Sequence, residues 1–160
     1  MAELVTWFTS RLAILKLLQL LCSFITIIFL VDGKIQWTFY SIVFIIAIIL
    51  SIITFLTLVF YFLRLHVQQN NSSLGPNSRY LQELAFNAIA AATSLVFSAV
   101  LIYDLARMWG GDFSHHRYGP PANIREDGWR NRILIILFAQ LLNTAFYFAS
   151  FYRTKTNGLK

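Results

Sequence analysis

The stretch from Ile35 to Leu63, IQWTFYSIVFIIAIILSIITFLTLVFYFL, contains no charged residue. An α-helix rises about 1.5 Å per residue, so roughly 20 apolar residues cross a hydrocarbon core of about 30 Å, and this stretch exceeds that need. Three further runs reach the same length: Leu12 to Val31, interrupted only by Lys16, then Leu84 to Tyr103 and Ile133 to Tyr152. The pattern predicts an all-α integral membrane four-helix bundle, a single domain over 1–160, with helices at about 12–31, 36–64, 84–107 and 132–152. The second run is long enough that it must tilt or continue into water.

Composition points the same way. Hydrophobic residues make up 58% of the chain and charged residues 12%, too little polar surface to keep a soluble chain of this size dispersed. A pI of about 9.8 raises nucleic acid as a partner. The basic residues, however, sit at the ends of apolar runs, where Lys and Arg meet headgroups, so nucleic acid is not expected. The single cysteine, Cys22, lies inside the first run and excludes an intrachain disulfide. No basic region precedes that run, which is expected to remain in the membrane as a signal anchor.

Aromatic rings flank the runs, at Trp7, Trp37, Tyr40, Tyr61, Tyr80, Tyr103, Trp109, Trp129 and Tyr152, and are expected to form two interfacial belts. Asp32-Gly33-Lys34 is so short that helices 1 and 2 must form a tight antiparallel hairpin. Residues 64–83 join helices 2 and 3 through a polar centre from Gln68 to Asn77, and residues 108–131 form a longer loop rich in Gly, Pro, Trp and charge. Orientation is nearly balanced. Arg11, Lys16, Arg64, Arg79, Arg153, Lys155 and Lys160 lie on the side of the termini, against Lys34, Arg107, Arg117, Arg125, Arg130 and Arg132 on the other. The positive-inside rule leans toward cytosolic termini. The sequons at Asn70 and Asn71 argue the opposite if either carries a glycan.

Polar residues within the spans fall at helical spacing. The stripes are Lys16, Gln19, Ser23 and Thr26; Ala47, Ser51 and Thr54; Asn87, Ala91, Ser94 and Ser98; and Gln140, Asn143, Tyr147 and Ser150. Facing acyl chains they would lack partners, so each helix is expected to turn its stripe inward. Gln19, Ser23, Ser51, Asn87, Ser94, Gln140 and Asn143 are the expected packing contacts, with Lys16 near enough to the membrane face to snorkel. The stripes hold no carboxylate at mid-depth and no span contains proline, which argues against a pore or transport path.

Chemistry-bearing residues gather in the 3–4 loop. Asp112, His115, His116, Glu126 and Asp127 are metal-ligand types, but their spacing matches no usual zinc pattern, and adjacent histidines are expected on a solvated surface of a mobile loop. Asp104 and Arg107 are read as an i, i+3 pair at the end of helix 3, and Cys22 has no base beside it. No catalytic residue, cofactor or metal is therefore expected. Trp109, Phe113, His115, His116, Arg117, Tyr118 and Trp129 instead have the composition of a partner-binding surface, since aromatics and Arg dominate binding energetics, and equally that of an interfacial loop whose rings lie in the headgroups.

Leu12-Ala-Ile-Leu-Lys-Leu-Leu-Gln-Leu-Leu-Cys-Ser-Phe-Ile resembles the opening helix of MARVEL-domain proteins. Tyr61-Phe-Leu-Arg-Leu-His66 is similar to that family's exit from helix 2, and Phe86-Asn-Ala-Ile-Ala-Ala-Ala92 to the small-residue start of its third helix. The likeness covers residues 8–153 and is closer to the MAL and chemokine-like-factor branch, because the luminal cysteines of the occludin-like and synaptophysin-like branches are missing. It implies an M-shaped bundle with both termini cytosolic and a non-enzymatic role in a multi-pass protein of the plasma membrane or endomembrane vesicles. That role is organising cholesterol- or sphingolipid-rich membrane, sorting cargo, or escorting another integral membrane protein. The alternative function is an auxiliary subunit bound side-on to a larger channel, receptor or transporter through the 3–4 loop and one helix face.

Overall fold

The computed structural model describes residues 11–62, 76–121 and 124–157. The Asn70 and Asn71 sequons and Trp7 lie outside the described residues. The described residues hold four helices: α1 (Arg11–Leu30), α2 (Thr38–Phe62), α3 (Pro76–Trp109) and α4 (Arg125–Asn157). Each is long and apolar enough to cross a membrane.

The last two helices are longer than the apolar runs within them. α3 begins at Pro76 rather than at 84, and α4 at Arg125 rather than at 132. Proline fits a first helical turn because that turn's N–H groups have no intrahelical acceptor, and the polar residues after it continue the helix. Glu126 and Asp127 complement the positive end of the α4 dipole. α3 stops at Gly110-Gly111. Gly111 takes φ +76°, its N–H donates to the Met108 carbonyl at 3.1 Å, and the Asp112 N–H reaches back to the Arg107 carbonyl at 3.0 Å. Those two bonds form a Schellman cap, which needs the left-handed backbone that glycine takes without a Cβ clash.

α1 packs on both α2 and α4, and α4 packs most extensively on α3, whereas α2 and α3 hardly touch. Partners fall in number along α4 as they rise along α1: Gln19 meets Ser150, Ser23 meets Asn143, and Thr26 meets Gln140. These helices therefore run antiparallel. The outer faces carry Ile28, Ile45, Ile89, Phe138 and Phe148, each more than half exposed. The largest apolar cluster lies at the end holding the 1–2 turn and the 3–4 loop, where Leu30, Val43, Leu101, Met108, Ile133 and Trp129 pack together.

Trp129 stands at the centre of that end. Its ring lies so close over Gly33 that a Cβ there would sit 2.0 Å from Cη2, so only glycine fits the 1–2 turn at this point. Trp129 and Tyr40 are fully buried and belong to the core rather than to an interfacial belt. Tyr103, Trp109 and Tyr152 do face outward.

Candidate functional site at the junction of loop and bundle

Polar side chains collect at two levels of the bundle. Nearer the chain termini, Lys16 is fully buried, with Nζ 2.5 Å from Glu83 Oε1 and donating to Asn87 Oδ1 at 3.1 Å. Asn87 donates in turn to Glu83 Oε1 at 2.7 Å. Lys16 thus does not snorkel, because the extended first turns of α3 bring a carboxylate to it and the pair is satisfied inside the protein. Between the two levels, Gln19 donates to Ser150 and to the Phe146 carbonyl, Asn143 to Ser23, and Gln140 to Thr26, while Thr54 and Tyr147 share a bond at 3.0 Å. Ser51 and Ser94 are buried as well, and their small side chains allow close helix approach.

The second level is built around Asp104. Continuing the α3 stripe beyond Ser98 at steps of three and four reaches Leu101, Asp104 and Met108, so Asp104 points into the bundle and is fully buried. It does not pair with Arg107. The Tyr40 hydroxyl donates to its Oδ2, and the Nε2 atoms of His115 and His116 lie 2.7 and 2.8 Å from its Oδ1. The three ligand atoms, one from each of Asp104, His115 and His116, all lie within 4.8 Å of one another. Aromatic rings wall the cluster: Trp37 meets His115 edge-on at 5.2 Å, Phe113 meets His116 at 5.8 Å, and Tyr40 lies 5.6 Å from His116. Both Nδ1 atoms are buried without a hydrogen-bond partner.

The histidines reach Asp104 because the loop folds down onto the bundle. The Schellman cap reverses the chain, the His116 N–H closes a turn on the Phe113 carbonyl at 2.9 Å, and the Arg117 N–H donates to the Gln36 carbonyl at 2.7 Å. That last bond fastens the 3–4 loop to the 1–2 turn. Outside the cluster, Arg107 Nε donates to Asp112 Oδ2 at 3.0 Å and its guanidinium also reaches Tyr103 and Ser114. The Ser114 N–H donates to Asp112 Oδ1 at 2.9 Å. The Arg107 guanidinium and the Ser114 N–H hold the Asp112 carboxyl well below the usual carboxylate range.

The seven loop residues expected on one surface therefore divide. Trp109, Arg117 and Tyr118 are exposed, whereas Phe113, His115, His116 and Trp129 turn inward. The expectation of histidines on a solvated surface fails because Asp104, eleven residues before His115, supplies a buried acceptor. One further concavity lies on the outer face. Ala88, Ala91, Ala92, Thr144 and Ala145 floor a groove of about 540 Å³ between α3 and α4, walled by Leu and Phe side chains.

Comparison with family models, curated proteins and solved structures returns no match. The site rests on its own geometry.

Proposed function

We propose that this protein is a non-enzymatic membrane-organising and trafficking adaptor of MARVEL type, an M-shaped bundle with both termini cytosolic in the plasma membrane or endomembrane vesicles. The observation that carries this reading is how the polar side chains divide. Lys16, Gln19, Asn143, Gln140 and Thr54 each bond to a side chain of another helix inside the bundle, which leaves an outer surface of Ile, Leu and Phe for lipid. Such a surface works by the lipids and membrane proteins it gathers. The open groove between α3 and α4, with its alanine floor, adds an apolar recess to that surface.

Extraction in mild detergent followed by size analysis tests the reading. Recovery alone or in mixed, lipid-rich assemblies is the expected outcome, and a stoichiometric complex with one large integral membrane protein favours the auxiliary-subunit reading instead. Exposed Trp109, Arg117 and Tyr118 support that second reading, since they present ring and guanidinium surface outside the bundle. In that case Trp109→Ala with Tyr118→Ala releases the partner. A glycosidase-sensitive mass shift abolished by Asn70→Gln and Asn71→Gln would invert the orientation.

A further inference from the structure

We propose that Asp104, His115 and His116 form a binding site for a divalent transition ion of the zinc type, with Asp104 Oδ1 and the two Nε2 atoms as its protein ligands.

Three observations support the assignment. The first is convergence: two imidazole nitrogens approach one carboxylate oxygen at 2.7 and 2.8 Å, from rings whose centroids are 4.3 Å apart. Zinc binds imidazole nitrogen and carboxylate oxygen at about 2.0 to 2.2 Å, so a tetrahedral ion between these atoms needs the N···O separations to open by only about half an ångström. The second is charge. Asp104 is fully buried, and among the described residues its side chain has no Lys or Arg partner, because Arg107 turns away to Asp112. A buried carboxylate requires compensation, and here only the two imidazole nitrogens and the Tyr40 hydroxyl face it. A divalent ion uses both rings. The third is the outer support: the Tyr40 hydroxyl fixes the carboxylate through its other oxygen, as partners of metal-ligating carboxylates do.

The donor set narrows the ion. Two nitrogens and one oxygen with no thiolate suit zinc and its first-row neighbours, and disfavour calcium and magnesium, which take oxygen ligands. Three protein ligands leave a fourth position for water, and His115, at 11% exposure against 1% for His116, is the more accessible ring. Asp104 lies five residues before the end of α3, about 7.5 Å of helix, so the ion would sit near the membrane face and tie the loop to α3 through Asp104 and to α2 through Tyr40.

The test uses the full chain in lipid nanodiscs, stripped with chelator and titrated with Zn2+ against a chromophoric indicator, then with Co2+ followed by visible absorption. One Zn2+ per chain is expected, with Co2+ bands of a low-coordinate nitrogen and oxygen site and no thiolate charge transfer. His115→Gln and His116→Gln each keep an N–H for Asp104 and are expected to weaken binding at least 100-fold, against about 10- to 100-fold for Tyr40→Phe. Asp127→Asn, on the exposed first turn of α4, leaves it unchanged. Wild-type protein that takes up no Zn2+, or binding that is equally tight in His116→Gln, overturns the proposal. The Co2+ spectrum is read on the unaltered chain, so a variant that fails to fold does not decide the matter.

Discussion

Lys16 and Glu83 are ionisable side chains taken almost wholly out of solvent, with 0% and 7% of their surface exposed. Two such charges are tolerable only together, and deleting one leaves the other buried without a counter-charge. Lys16→Met is therefore expected to destabilise the bundle by about 3 to 5 kcal/mol. Lys16→Met combined with Glu83→Gln should recover most of that loss, as measured by unfolding in mixed micelles. Equal losses in the single and double variants would show that the pair is not coupled. Gly33 is constrained by space instead. An alanine there must displace the buried ring of Trp129, and overpacking of this kind costs about 1 to 3 kcal/mol. Thermal stability of Gly33→Ala in detergent measures it, and partial rescue by Trp129→Phe would locate the clash.

At the scale of elements, the 3–4 loop holds its shape through its own charges. The Asp112 carboxyl is held well below its ordinary range in the folded loop, first by Arg107 and then by Ser114. A carboxyl depressed in the folded state stabilises that state fully above its ordinary value of about 4, and the contribution is lost as pH falls from there toward the depressed value. Hydrogen exchange at the Ser114 amide should thus show steady protection from about pH 7 to pH 5 and a decline below about pH 4. Asp112→Asn should remove that pH dependence. Protection that instead declines between about pH 7 and pH 5 would mean another group controls the loop.

The helices were legible because hydrophobic length and the spacing of Gln19, Ser23, Gln140 and Asn143 are local properties of the chain. The start of α3 was not legible, since the polar stretch before Leu84 has the composition of a loop, and the contact that anchors its end, Glu83 to Lys16, joins residues far apart in the chain. The histidine cluster was hidden for a similar reason. Extending the α3 stripe reaches Asp104, and Gly110-Gly111 marks a cap, but the direction of His115 and His116 depends on the long-range bond from Arg117 to Gln36.

In the whole molecule the weak boundary lies between α2 and α3, which scarcely touch. At the loop end it is bridged by the Tyr40 and Asp104 side chains, and lower down by the packing of Leu50 against Ala90 and Tyr147. α1 is instead committed to α4: the partners of Gln19, Ser23 and Thr26 are Ser150, Asn143 and Gln140, more than 110 residues further along the chain. A ribosome delivers α1 to the membrane before α4. During synthesis three polar side chains of α1 therefore wait in lipid for acceptors and donors that have not yet been made. Chains cut before Arg125 should be retained and degraded faster than the full chain in a pulse-chase, and restoring α4 as a separate polypeptide should slow that loss. Equal lifetimes would show that α1 finds other partners. The pairing that closes the bundle in space is thus also a delay in time, and the quality of α1 can be judged by the cell only after α4 has arrived.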